Sequence, residues 1–472
     1  MRSCYNLALI TLSICIIYNA LATADAPPHV PQYWRNTNMV RTIDLSSYVV
    51  RESTAIASQN VHTEPVGEYY FPIPGGLSEH LAYIEVKEKK TDKVFEVEKV
   101  GSDSVNQTQY YKIYFDHRID PQEKVLFIVK TAYIHELAPY PFEIAQTGRQ
   151  NLIYRGNIYG NSAYYTEKQK TNVKLPTFNI IGYTQKSGSV SRNGNIITYG
   201  SFSNQEPGAF DELSIHYEFQ QAILTVKGLR RDLEISHWGG NLAVEEHFNL
   251  THGGAKLKGQ FSRLEYQQTQ YIHHETTMAR DFSINLPAHA SDVYYRDEIG
   301  NVSTSRLRNE RDAKVLEFRP RYPLFGGWNY TWYHGYNVPL GDFLRYHKSG
   351  RYILNIPFVN PLHNAAFDHV QVRIILPEGA SNVKVETPFP INKETHGVHK
   401  TYFDSKGRYI VVLDKFNVVD EHSKHFQVSY EYNSLELLRK PLVATTFLLC
   451  GFLLNMVFSR MEFTIGKKSN KD

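Results

Sequence analysis

Cysteine is nearly absent. The 472-residue chain has three, Cys4, Cys15 and Cys450, all inside the terminal segments. The long stretch between those segments therefore has no disulfide to staple it, which a chain of this size tolerates because the buried fraction of surface rises with length. Charge of one sign is also lacking. The formal net charge is +3, with basic and acidic residues scattered, so no electrostatic footprint for nucleic acid is present. Motifs of catalysis are missing too: there is no G-x-S-x-G elbow, no phosphate loop, no C-x-x-C pair and no Asp-x-Asp. His135-Glu136 and His274-Glu275 lack a second His four residues after the first, so neither forms a zinc helix. His247 and His252, and the adjacent His273 and His274, have spacings expected by chance among 20 histidines. These absences predict no metal, no cofactor and no catalytic group in this chain.

The two ends are informative. Arg2, the apolar run Leu7 to Leu21 and the small residues Ala20, Ala22 and Ala24 form a secretory signal with an A-x-A cleavage site, placed at residues 1–24. A second apolar run, Leu442 to Phe458, reaches the lower limit for crossing a hydrocarbon core of about 30 Å. Arg439 and Lys440 border one side and Arg460 the other, where long side chains extend the span toward the headgroups. Asn455 inside the run either bonds a neighbouring helix or lies near enough to the interface to stay wet. A cleaved signal and one late span predict type I topology. The segments are then 25–232 and 233–440 on the outer side, the helix at 441–459, and a short tail at 460–472 carrying Lys467, Lys468 and Lys471.

Between the ends the periodicity is that of strands. Tyr111, Ile113 and Phe115 alternate with Lys112 and Tyr114, and Val125, Phe127 and Val129 follow the turn-like Asp120-Pro121. Val370, Val372 and Ile374 alternate with polar neighbours up to Pro377-Glu378-Gly379; Tyr409 to Leu413 and Phe426 to Tyr432 have the same character. Gln220 to Leu233 is ambiguous. The fold class is mainly β: two sandwich-like domains with a seam near residues 230–237, followed by one membrane helix. No short-period repeat is visible, and the residues do not show whether the two halves are related.

Four sequons occur, at Asn106, Asn249, Asn301 and Asn329, each predicting an exposed asparagine if modified. Asn301 follows Gly300 in a turn-like context, whereas Asn329 is flanked by Trp328 and Tyr330. Gly239-Gly240, Gly253-Gly254 and Gly326-Gly327 suit hairpin turns, bulges or close backbone approach. Glu245-Glu246 would point to opposite faces of a strand, as two charges near a surface. Arg319, Arg321, Tyr322, Phe325, Trp328, Tyr330 and Trp332 offer either a sugar- or peptide-binding surface or ordinary packing.

The stretch Tyr294 to Pro339, YYRDEIGNVSTSRLRNERDAKVLEFRPRYPLFGGWNYTWYHGYNVP, resembles the corresponding part of the ribophorin I family, the alpha subunit of the oligosaccharyltransferase complex. Ile235 to Arg263 and Val372 to Val383 extend the resemblance, and Tyr69-Tyr70-Phe71-Pro72 belongs to a looser N-terminal match. The chain resembles the short fungal-type form, without the long cytosolic extension of the animal one. The resemblance implies an accessory, non-catalytic subunit in the endoplasmic reticulum membrane. Its complex moves a preassembled oligosaccharide from dolichyl diphosphate to Asn of Asn-x-Ser/Thr. The implied partners are a catalytic multi-span subunit, other subunits, nascent polypeptides and membrane lipid, with no nucleic acid. The lumenal domains are expected to brace the complex and hold acceptor chain near the active site, with residues 319–332 the surface to inspect. Two competing readings remain: a free-standing type I lectin or cargo receptor, and a peptidase, since this β architecture is expected to resemble the non-catalytic domain of some zinc aminopeptidases.

Overall fold

Strict alternation of apolar and polar residues drives this chain into sheets. Along Val50–Asn60 every second residue is buried, and the same period runs through Asn241–His252. The computed structural model describes residues 30–461 except 104–106, 186–188, 272–276, 363 and 402–403. The signal segment, Asn106, His273, His274, Glu275 and the tail beyond residue 461 lie outside the described residues.

The first half opens with β1 (Trp34–Asp44), β2 (Val50–Asn60), β3 (Val66–Ile73), a short helix α1 (Gly75–His80) and β4 (Leu81–Glu88). It continues with β5 (Val94–Ser102), β6 (Gln109–Ile119), β7 (Lys124–Tyr133), β8 (Leu137–Pro139) and β9 (Glu143–Ile144). Then come β10 (Asn151–Asn157), β11 (Thr166–Lys174), β12 (Ile180–Tyr183), β13 (Val190–Asn193), β14 (Ile196–Gln205) and β15 (Glu212–Glu218). The second half begins with β16 (Leu224–Ser236), β17 (Asn241–His252), β18 (Lys256–Leu257), α2 (Arg263–Tyr271) and β19 (Phe282–Pro287). Next are β20 (Ser291–Asp297), β21 (Gly300–Asn301), β22 (Ser305–Asn309), β23 (Ala313–Phe318), β24 (Asn329–Pro339) and α3 (Leu340–Phe343). β25 (Leu344–Tyr346), β26 (Arg351–Pro357), β27 (Ala365–Ile375) and β28 (Ser381–Glu386) follow. The last elements are β29 (Lys393–His399), β30 (Arg408–Val418), β31 (His425–Glu431) and α4 (Arg439–Arg460).

The chain builds the same fold twice. The large sheet of the first half runs β13-β14-β11-β1-β2-β7-β4, and that of the second runs β29-β30-β27-β16-β17-β24-β20. Each contains one parallel pair at the same place, β1 with β11 and β16 with β27. The smaller sheets correspond as well, β8-β10-β15-β12 and β25-β26-β31-β28. So do the antiparallel triplets, β5-β6-β3, which continues the first large sheet, and β22-β23-β19, which stands alone.

Two hydrophobic cores match the two halves. One gathers residues between Trp34 and Ile223 with Ala366 and Val419, and the other gathers residues between Leu224 and Tyr430. The core changes at Ile223/Leu224, and residues 230–236 lie inside β16, a long strand where the sequence was ambiguous. Polar contacts join the halves. Arg51 Nε bonds Glu421 at 2.7 Å, and Asn417 donates to the Glu79 carbonyl at 2.8 Å. His135 links Tyr48 (2.9 Å) to Asp368 (2.7 Å).

Each half also buries one arginine–glutamate pair. Arg41 on β1 bonds Glu52 on β2 at 2.5 and 3.0 Å and donates to the carbonyl of Asn157, where β10 ends. Arg231 on β16 faces Glu246 on β17 at 3.0 Å, off hydrogen-bond alignment, and donates to the carbonyl of Pro357, where β26 ends. These guanidinium groups tie the large sheet to the small one in both copies. Glu246 is 0% exposed, which corrects the expectation of two surface charges. Its neighbour Glu245 does point to the other face, as the strand period requires. Burial works against ionisation of Glu246, but the Arg231 cation and the His334 ring 3.0 Å away outweigh it and hold its pKa below the usual carboxylate value.

Candidate functional site

The Arg and aromatic residues that offered either a binding surface or ordinary packing separate into two groups. Trp332 is 1% exposed, stacked on Phe248 at 4.6 Å and packed against Phe282 and Phe318. Inward-facing positions of β24 place it and Tyr330 in the core, so Trp332 cannot contact a partner. Phe325 is buried as well. Arg319, Arg321 and Tyr322 are exposed, and Trp328 is half-buried against Phe325 and Tyr322. The two arginines are already paired, Arg319 with Asp281 at 2.7 Å and Arg321 with Asp297. Those bonds pull the pKa of both carboxylates down; at Asp281 they overcome an opposing effect of burial. What remains outside is a small polar patch around Tyr322 and Trp328.

The sequons that are described are exposed at their asparagines. Asn301 follows the turn at the β20–β21 hairpin, and its Oδ1 accepts from Arg296 Nε at 2.8 Å. Asn249 lies on β17 and Asn329 at the start of β24. The glycines serve geometry: Gly240 adopts φ of +66° in the β16–β17 hairpin, and a Cβ on Gly326 would overlap the Ala255 carbonyl.

The junction with the apolar helix is more elaborate than the sequence suggests. α4 covers Arg439–Arg460, and 22 residues rise about 33 Å, the thickness of a hydrocarbon core. None of its residues is buried by the rest of the chain. Asn455 is exposed on it, and its side chain makes no hydrogen bond among the described residues. At its start, Lys440 Nζ bonds Asp404 at 2.9 Å, and Arg439 pairs with Glu436 at 2.5 Å and Glu378 at 3.7 Å. Arg408 joins Asp404 to Glu234 on β16. Burial disfavours the Asp404 charge, but bonds from Thr401 and Lys440 prevail and its pKa falls to about 2. Glu378 is fixed in turn by the amides of Ser405 and Lys406 at 2.9 and 2.7 Å. A cleft beside this collar is lined by His237, Trp238, Tyr432, Glu436 and Lys440. His237 stacks on Tyr432 at 4.5 Å, and burial lowers its pKa. Trp238, at the hairpin tip, is 76% exposed, level with the first turn of the helix. Sequence reasoning passed over Glu378, Asp404 and Arg408, whose roles depend on three separate strands and loops meeting at one point.

A family model described as Ribophorin I matches residues 34–459. The chain belongs to the ribophorin I family. Curated relatives agree over nearly full length. Dolichyl-diphosphooligosaccharide–protein glycosyltransferase subunit 1B of Arabidopsis thaliana is 34% identical, with 91% of this chain and 94% of that protein covered. Subunit 1 of the same name from Caenorhabditis elegans is 32% identical over 93% of this chain and 74% of that protein. Solved structures give only a faint likeness. The M1 zinc metallopeptidase of Deinococcus radiodurans is 9% identical over 44% of this chain and 48% of that one, with a TM-score of 0.24. Native leukotriene A4 hydrolase of Saccharomyces cerevisiae is 9% identical over 41% and 31%, with a TM-score of 0.27. These values carry no argument about the function of this ribophorin I family member.

Proposed function

We infer that the protein is a subunit of the oligosaccharyltransferase complex in the endoplasmic reticulum membrane and acts in N-glycosylation without supplying the catalytic groups. The observation that carries this reading is the family match, continuous from β1 to the end of α4, to proteins named as subunit 1 of that transferase. The two β halves stand in the lumen, α4 crosses the membrane once, and Asn455 meets a membrane helix of a neighbouring subunit. The halves brace the complex and keep nascent polypeptide near the catalytic subunit. Holding a reactant in place contributes to rate by removing unproductive geometries, with no chemical group required from the holder.

The test is affinity purification of the full chain in mild detergent, with the eluate assayed for transfer of a lipid-linked oligosaccharide to an Asn-x-Thr peptide. Co-purification of a multi-span subunit and of transferase activity is the expected result. A chain recovered alone and inactive, in detergent that leaves the transferase intact, overturns the reading.

A further inference from the structure

Two of the sequons are folded onto each other. Asn249-Leu250-Thr251 lies on β17 and Asn329-Tyr330-Thr331 on β24, and the antiparallel register pairs Asn249 with Thr331, Leu250 with Tyr330, and Thr251 with Asn329. The middle residues point inward, Leu250 at 0% and Tyr330 at 4% exposure. Both asparagines point outward and are exposed. Thr251 Oγ1 donates to Asn329 Oδ1 at 2.8 Å, tying one sequon to the other. Neither asparagine Nδ2 donates to an acceptor among the described residues, although other outward amides of the same sheet do, such as Asn241 to Asn337 and Asn337 to Asp292. Diagonal neighbours on paired strands stand about 7–8 Å apart. Next along the same face, His247 and Tyr333 stack at 5.0 Å, a flat floor beside Asn249.

We propose that Asn249 and Asn329 both carry N-linked oligosaccharide in the same molecule, and that the two glycans form one canopy over the outer face of β16, β17 and β24. The proposal rests on the lumenal placement inferred above. The step is the ordinary transfer. Nδ2 attacks the anomeric carbon of a lipid-linked oligosaccharide, the N–C1 bond forms, the C1–O bond to dolichyl diphosphate breaks, and Nδ2 gives up one proton. It precedes folding, because β17 is hydrogen-bonded on both edges once the sheet exists, to β16 and β24, and no longer offers a free extended segment. Glycans are bulky and strongly hydrated, so a pair of them rooted this closely excludes protein partners from that face. Subunits of the complex then dock elsewhere on the second half.

Glycopeptide mass spectrometry of the unsubstituted chain, purified within its complex, tests occupancy. Glycan at Asn249 and Asn329 together, with single-step mobility losses in Asn249→Gln and Asn329→Gln, is the expected result. Glycan at Asn301 with Asn249 or Asn329 bare overturns the proposal and leaves the lumenal placement standing. No glycan on any sequon overturns the proposal too. An Arg230→Cys probe on the outer face, where the side chain is 45% exposed, reads the canopy. Maleimide labelling there should rise at least tenfold after enzymatic glycan removal; an unchanged rate refutes shielding.

Discussion

The buried pair Arg231–Glu246 offers a quantitative test of how the second half holds its sheets together. Both side chains are at most 1% exposed, and Arg231 spends one guanidinium nitrogen on the Pro357 carbonyl of the smaller sheet. Glu246→Ala removes the countercharge and strands a cation in a site closed to water. Breaking a buried pair from one side costs about 3–5 kcal/mol. In a unit of this size each kcal/mol moves the midpoint by roughly 2–4 °C, so the second half should melt roughly 6–20 °C lower. The double change Arg231→Met with Glu246→Leu fills the volume without burying charge and should recover most of the loss. The assay is a thermal ramp of the full chain in mild detergent. Hydrogen exchange of β16 and β17 reports the second half, and β1 and β2 serve as the internal control. A shift under about 2 °C for Glu246→Ala, or a double variant as unstable as the single one, would refute the reasoning.

Four further outcomes are expected. His422 is 1% exposed, and burial with nearby Lys415 and Lys424 pushes its pKa down to about 3. The unfolded chain takes up that proton near pH 6.5, so stability complete above that pH should drain away as pH falls toward 3, and His422→Gln should flatten the loss in a pH series of melts. Lys415, pushed down to about 8 by burial, works in the alkaline range: its charge costs stability below pH 8, and rising pH toward 10.5 relieves the cost. Lys415→Met should therefore raise the midpoint at pH 7 and abolish the alkaline gain. Asp404→Asn cuts the Lys440 bond and should speed proteolysis across residues 432–440 without altering membrane insertion; unchanged cleavage would show that the collar is ornamental. In proteoliposomes, Trp238 should be quenched by bromine-substituted lipid, and Trp238→Phe should remove that quenchable emission. Equal quenching in both proteins would mean the hairpin tip stands clear of the bilayer.

Much of both cores could be read from alternation. The expected runs 111–115, 125–129, 370–374 and 409–413 fall inside β6, β7, β27 and β30. The buried charges were legible by the same rule. Arg231 stands between Leu229 and Leu233 at period two, and Glu246 stands between Val244 and Phe248, so both lie on the apolar face of their strands. Treating Glu245-Glu246 only as adjacent charges hid that signal. For Trp332 the sequence left surface and packing both open; β24 sends alternate residues to opposite sides, which puts Trp332 in the core. The doubling of the fold was not readable, because it resides in which strands pair and in what order, while side chains at matching places can differ. Leu354 of β26 occupies the place that Tyr154 holds in β10, and only the second makes a bond, to Glu52 at 3.4 Å.

The ion-pair collar at Arg439 and Lys440 makes the membrane helix a lever. An unstructured connection of residues 432–438 would uncouple the span from the mass above it. Here the connection is a short 3-10 turn, clamped through Glu378, Asp404 and Arg408 to strands of the large sheet. Any tilt that bilayer thickness or a neighbouring helix imposes on α4 is thereby converted into a swing of the second half, instead of being absorbed as slack. The surroundings of one helix thus set the angle at which the second half stands.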